Sequence, residues 1–160
     1  MQVVQLETID ACNAKCYKCP YKDVYHTKKI MSDEVFLKII DEVGRLVKDD
    51  YIRICFYLNN EPLLDPLLFK RVQFVRKLFP TIETEISTNC LLLPKYFDQV
   101  VEHFDVIILA LQGWDTKSYN LIHRLNITDQ HYDKMRHCYE EIKKLENSKK
   151  ITAKCWDAEL

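Results

Sequence analysis

Three cysteines stand close together in the stretch DACNAKCYKCPY: Cys12, Cys16 and Cys19, in the pattern C-x3-C-x2-C. Thiolates on one short loop favour zinc, copper(I) or an iron–sulfur cluster. A structural zinc site wants four ligands, usually as two separated pairs. His26 is a candidate fourth donor, but its spacing is unlike the common zinc patterns. A four-iron cluster held by three cysteines instead leaves one iron open to another ligand. Further polar groups recur downstream at intervals: NNEP at 59–62 with the carboxylate Glu61, STNC at 87–90, and QGW at 112–114.

Those segments need a frame to bring them together. Apolar runs and helical patterns alternate along the whole chain. Strands are expected at 3–9, 51–58, 81–88 and 105–111, with a final candidate at 149–156. Helices are expected at 32–47, 65–79, 94–104, 115–125 and 129–147. Ser32 is read as the cap of the first helix, with Val35, Phe36, Ile39, Ile40 and Val43 on its apolar face. The second is read as starting at Asp65, with Pro66 at its first position. Strand–helix alternation points to parallel strands covered by helices. The fold class expected is α/β: one domain over 1–160, an open partial β/α barrel of about four to five parallel strands. In such folds ligands sit at the C-terminal ends of the strands. The cysteine loop and the three polar motifs each follow a strand, so they converge on one rim.

Composition narrows the alternatives. Only two glycines occur, Gly44 and Gly113, so there is no phosphate-cradling loop of the usual kinds. The formal net charge of −1 offers no global field for nucleic acid or an acidic membrane. The opening MQVVQLETID lacks the basic start and apolar run of a signal peptide, and VIILAL at 106–111 is too short to span a bilayer. A cytoplasmic chain is therefore expected. Seven cysteines in a reducing compartment argue for metal or redox chemistry over a disulfide framework.

The motifs CNAKCYKC, NNEP, STNC and LQGWDTKSYNLIHR, in that order over roughly 3–145, resemble the radical S-adenosylmethionine (radical SAM) superfamily. The nearest resemblance is to its peptide-modifying and cofactor-maturing branch. The resemblance implies that Cys12, Cys16 and Cys19 ligate a [4Fe–4S] cluster. The amino and carboxylate groups of S-adenosylmethionine would chelate the fourth iron. Glu61 would accept from the cofactor ammonium, Ser87 and Asn89 would reach its ribose or carboxylate region, and Arg124 would pair with its carboxylate. The family chemistry is reductive cleavage to a 5′-deoxyadenosyl radical, which takes a hydrogen atom from a substrate. A low-potential flavodoxin or ferredoxin is the implied electron donor.

The chain departs from the family pattern at several positions. Lys18, after Tyr17, stands where an aromatic or apolar residue is common, leaving adenine contacts to this part of the loop. Asn59 and Asn60 replace the glycines of the second motif, and Cys90 replaces that of the third. Ala110 stands where serine is common at the fourth strand tip, which passes that contact to Gln112. Four and a half β/α units, against the usual six, leave three options: a minimal barrel, a fragment, or a barrel closed by a homodimer or a partner chain. Cys55 and Cys138 are read as small core residues, while Cys90 and Cys155, the latter with Asp157 and Glu159, lie nearer the rim. Two functions of other classes compete with the radical enzyme: a zinc- or cluster-binding structural or interaction protein, and a glycyl-radical activase acting on a partner protein.

Overall fold

The computed structural model describes residues 2–23, 26–46, 51–146 and 152–155. Five strands form one parallel sheet: β1 (Gln2–Gln5), β2 (Ile52–Cys55), β3 (Glu83–Thr88), β4 (Val106–Leu109) and β5 (Thr152–Cys155). Their order in the sheet is their order in the chain, β1-β2-β3-β4-β5. The helices between them are α1 (Asp33–Leu46), α2 (Leu68–Leu78), α3 (Leu93–His103), α4 (Thr116–His123) and α5 (Asp129–Glu146). The register runs Gln5↔Cys55, Cys55↔Glu85, Glu85↔Val106 and Val106↔Thr152. Parallel crossovers are right-handed. A sequential order of such units places every helix on one face and advances the sheet in one direction, as the opening of a barrel does. The sheet stays open, with β1 and β5 at its edges.

Strand side chains alternate between two faces. On the helix face, Leu6, Ile52, Ile54, Phe56, Ile82, Ile86, Ile107 and Leu109 join Phe36, Ile40 and Val43 of α1, Val72 and Val75 of α2, Val100 of α3 and Met135, Cys138 and Ile142 of α5 in one core. Each such fully buried side chain contributes about 1.5–3 kcal/mol. Cys138 is a core residue, as its helical position predicts. The opposite face carries charge. Arg53 pairs with Glu83 and with Glu85, and Glu85 also accepts from Tyr57 Oη–H and Cys55 Sγ–H. Cys55 is therefore buried at 3% exposure in a polar network on that face, not among the aliphatic core residues.

The start of the second helix changes. The second helix begins at Leu68, three residues later than its sequence signal. The carboxylate of Asp65 accepts instead from Leu67 N–H at 2.8 Å and from buried Arg71 at 3.2 Å. Pro62–Leu64 forms a 3-10 turn ahead of it, capped by Glu61. The fourth helix follows its signal: Asp115 and Ser118 form a reciprocal capping box at its start. Cys155 is the last residue of β5; its side chain, with Asp157 and Glu159, lies outside the described residues.

Candidate functional site

The cysteine loop leaves β1 and crosses the C-terminal ends of the strands. It is held there by bonds that do not involve the thiols. Glu61 N–H donates to Ala11 C=O at 2.9 Å, tying the loop to the tip of β2. Lys15 N–H donates to His123 C=O at 3.1 Å and Tyr17 N–H to Ile122 C=O at 3.0 Å, tying it to the end of α4. Cys12 N–H donates to the Tyr21 hydroxyl oxygen at 2.9 Å.

A third tie runs through His26. Its Nδ1–H faces the Asp10 carboxylate and its Nε2–H donates to Tyr21 C=O at 2.6 Å, with the imidazole stacked on the Tyr21 ring at 3.5 Å. Both nitrogens face acceptors, an arrangement that favours the doubly protonated ring. The hydrogen bond to Asp10 raises the His26 pKa above its ordinary value, and the same bond pulls Asp10 down to about 2. His26 thus clamps the loop, with both ring nitrogens engaged by Asp10 and Tyr21.

The loop and the strand tips enclose a cleft of about 560 Å³. Its lining includes Cys12, Cys16 and Cys19, with Tyr17 and Lys18 between them. Asn60 and Glu61 follow β2, Ser87 and Asn89 belong to the end of β3, and Gln112 follows β4. Ten of the eleven residues expected at the site therefore share one cavity. Arg124 is the one outside this lining. It is exposed in a left-handed cap after α4 (φ 52°), with its guanidinium 5.5 Å from the centre of the Tyr17 ring. Its neighbour His123 lines the cleft instead, 1% exposed, with Nδ1 3.2 Å from Cys16 Sγ. From the sequence His123 reads as a surface histidine rather than a ligand, and the structure overturns that by burying it; its one signal is a place beside the arginine of the fourth motif.

Glu61 is the most buried acid of the cleft, at 1% exposure. Its Oε1 accepts from Thr88 Oγ1–H at 2.8 Å and Leu63 N–H at 3.2 Å, and its Oε2 from Asn89 N–H at 2.9 Å. Burial pushes its pKa up to about 7 against the pull of those three donors. A carboxylate has about four acceptor positions; two join the tips of β2 and β3, one caps the Pro62–Leu64 turn, and one remains. Asn89 also donates from Nδ2 to Asn13 Oδ1 at 2.7 Å. Asn60 accepts from Leu58 N–H through Oδ1, and its Nδ2 is buried without a partner. Cys90 lies beneath the rim, fully buried in the core at φ 68°, and does not line the cleft.

The Cys12 and Cys16 thiols are protonated donors in waiting. Burial raises the Cys12 pKa to about 11, with the charges of Glu61, Cys16 and Cys19 adding to the effect, and burial likewise raises Cys16. Thiols so placed stay protonated until a metal displaces the proton. Among the described residues, no three donors are gathered around one ion position. A four-iron cluster takes its thiolates at separate corners, so it does not need them to converge on a point. Three cysteines on one loop, facing a cleft into which Asn60 Nδ2 and His123 Nε2 bring unpartnered polar atoms, are a donor set that would suit such a cluster.

The sequence profile of the radical SAM superfamily matches residues 6–153. The chain belongs to the radical SAM superfamily. No curated protein sequence matches it, but solved structures of radical SAM proteins do. BtrN in complex with AdoMet and 2-DOIA superimposes with a TM-score of 0.72 at 20% identity, over 97% of this chain and 56% of that one. Native anSMEcpe with bound AdoMet and Kp18Cys peptide gives 0.69 at 22%, over 96% and 42%. TYW1 with a lysine-pyruvate adduct gives 0.58 at 16%, over 89% and 52%. The chain thus spans about half the length of these structures, and what it shares with them is the radical SAM fold. Among the described residues, no helix is long and apolar enough to cross a membrane.

Proposed function

We propose that this protein is a radical SAM enzyme that acts on a small molecule or a peptide. The observation that carries the reading is the single cleft shared by three thiols of one loop and the polar tips of β2, β3 and β4. Cys12, Cys16 and Cys19 would hold a [4Fe–4S] cluster. When bound, the cluster and S-adenosylmethionine supply reductive cleavage to a 5′-deoxyadenosyl radical, which abstracts hydrogen from the substrate.

The chain's own groups bind and orient. Glu61, kept in place by Thr88, Asn89 and Leu63, has one acceptor position left for an ammonium. That charge-assisted bond would hold Glu61 ionised against its burial. Asn60 Nδ2 lacks a partner and suits a carboxylate or hydroxyl oxygen. Ser87, Asn89 and Gln112 offer further polar contacts along the cleft, and Tyr17 and Lys18 sit on the loop at its mouth. Arg124, directed to Tyr17, would reach a cofactor carboxylate only after leaving that ring. A low-potential flavodoxin or ferredoxin would deliver the electron, and a homodimer or partner chain would cover the open sheet. The small-molecule and peptide ligands of BtrN and anSMEcpe support both substrate classes.

The test is anaerobic reconstitution with iron and sulfide, reduction, and addition of S-adenosylmethionine. About four irons per chain and 5′-deoxyadenosine formation, both lost in a Cys12/Cys16/Cys19→Ala variant, support the reading. A colourless, zinc-loaded protein rejects it in favour of a structural role for the thiols. Cleavage that occurs only with a partner protein carrying the new radical points to an activase.

A further inference from the structure

His123 has no part in the proposed function, and its packing leaves one ring nitrogen unpaired among the described residues. It is the last residue of α4 and almost wholly buried. Its ring lies 4.2 Å from that of Tyr119 at 30°. Its Nδ1 is 3.2 Å from Cys16 Sγ, and its Nε2 is buried with no hydrogen-bond partner. A buried nitrogen without a partner carries a desolvation penalty that phenylalanine or leucine would avoid. Among the described residues, the sulfur is thus the side chain's one polar engagement.

The backbone keeps ring and sulfur together. The residues on either side of Cys16 are both bonded to the end of α4, Lys15 N–H to His123 C=O and Tyr17 N–H to Ile122 C=O. That pair keeps the Cys16 backbone beside the end of α4, within side-chain reach of the imidazole. Cys12 is served differently: Ala14 N–H donates to its sulfur at 3.4 Å, and Asn89 Nδ2 is 4.0 Å away.

The direction of the Cys16 hydrogen bond follows from the state of the sulfur. A thiol can donate to a neutral Nδ1. A thiolate bound to iron can only accept, so the ring must then carry its proton on Nδ1 and a lone pair on Nε2. That is a change of tautomer, with no change of charge.

We propose, resting on the radical SAM reading, that His123 donates an Nδ1–H hydrogen bond to the Cys16 thiolate of the bound cluster and thereby raises the cluster's reduction potential. A donor at a ligand sulfur withdraws negative charge and favours the form with one more electron; hydrogen bonds to the sulfurs are among the determinants of cluster potential. The effect acts through a ligand, so His123 is a tuning and positioning residue with no contact to substrate required.

The experiment compares wild type with His123→Asn, His123→Gln and His123→Phe. Asparagine sets an amide nitrogen near the place of Nδ1, glutamine near that of Nε2, and phenylalanine supplies neither. Each protein is reconstituted anaerobically, its iron and sulfide are counted, and its midpoint potential is read by EPR-monitored titration without S-adenosylmethionine. The expected result is a potential near wild type for His123→Asn and a shift to more negative potential for His123→Gln and His123→Phe. Equal potentials across cluster-loaded proteins overturn the inference and leave the radical SAM reading standing. If His123→Phe holds no cluster, the asparagine and glutamine variants decide by the same comparison. A wild type that assembles no iron–sulfur cluster refutes the inference together with its parent reading.

Discussion

Replacing Glu61 by glutamine should change stability in a way that depends on pH. The folded carboxyl titrates at about 7, against an ordinary 4.5, because it is buried. The native state therefore binds more protons than the unfolded state between those values, and stability falls as pH rises through that window. With both pKa values in the linkage expression, the loss between pH 5 and pH 8 is about 2.5 kcal/mol. Glutamine has no such titration. Its own defect is fixed: with Leu63 N–H and Thr88 Oγ1–H still bonded to the amide oxygen, the amide NH2 faces Asn89 N–H and leaves that donor unpaired. A buried unpaired donor costs roughly 1–3 kcal/mol at any pH. Urea unfolding of both cluster-free proteins at pH 5 and pH 8 gives four free energies. Their double difference cancels the histidines, which titrate alike in both. The expected result is that the wild-type advantage shrinks by about 2.5 kcal/mol on going to pH 8. A double difference near zero would refute the argument, since it would mean that water reaches the carboxyl or that its donors outweigh its burial.

Three other perturbations test the frame around the site. Gly113→Ala should cost about 2–3 kcal/mol in thermal or urea unfolding, because Gly113 has φ +105° and a Cβ there would meet Tyr119 N at 2.6 Å. Cys90→Val should destabilise by about 2 kcal/mol, a branched side chain being strained at φ 68°. Cys90→Gly should stay within about 1 kcal/mol of wild type, relief of strain offsetting lost packing in the same assay. Asp10→Asn should lower the His26 pKa in an NMR titration, since the Asp10 bond is the first cause of its rise. The wild-type pair stabilises the loop in a bounded range. Its His26 part is lost as pH rises through the raised folded pKa above 6.5, and its Asp10 part as pH falls from 3.8 through about 2.

Most of the frame was legible because hydrophobic periodicity reports which face of an element is buried. Every strand and helix expected from the pattern is present, with the alternation of Ile82, Thr84 and Ile86 against Glu83 and Glu85 dividing β3 between the core and the polar face. One boundary moved: Asp65 reads as a helix cap, yet its carboxylate is shared between Leu67 N–H and Arg71 of the helix itself, and the helix starts at Leu68. Motifs located the cleft because spacing along the chain maps onto strand tips. His123 and Arg124 exchanged places because which of two adjacent residues faces inward at a helix end depends on a left-handed cap. No periodicity announces that cap. The two ring bonds of His26 were equally hidden, since they join Asp10 and Tyr21 through a turn of the loop and not through an element.

The bond between Cys16 and His123 spans 107 residues. During synthesis at about 5–20 residues per second, the thiols emerge roughly 5–20 s before the helix end that closes over them. Until α4 docks, the cysteine loop lacks its ties to Ile122 and His123. The order of assembly is therefore built into the order of the strands: the loop is made early but fastened only when α4 arrives, and until then its thiols stand on an open, oxidisable segment.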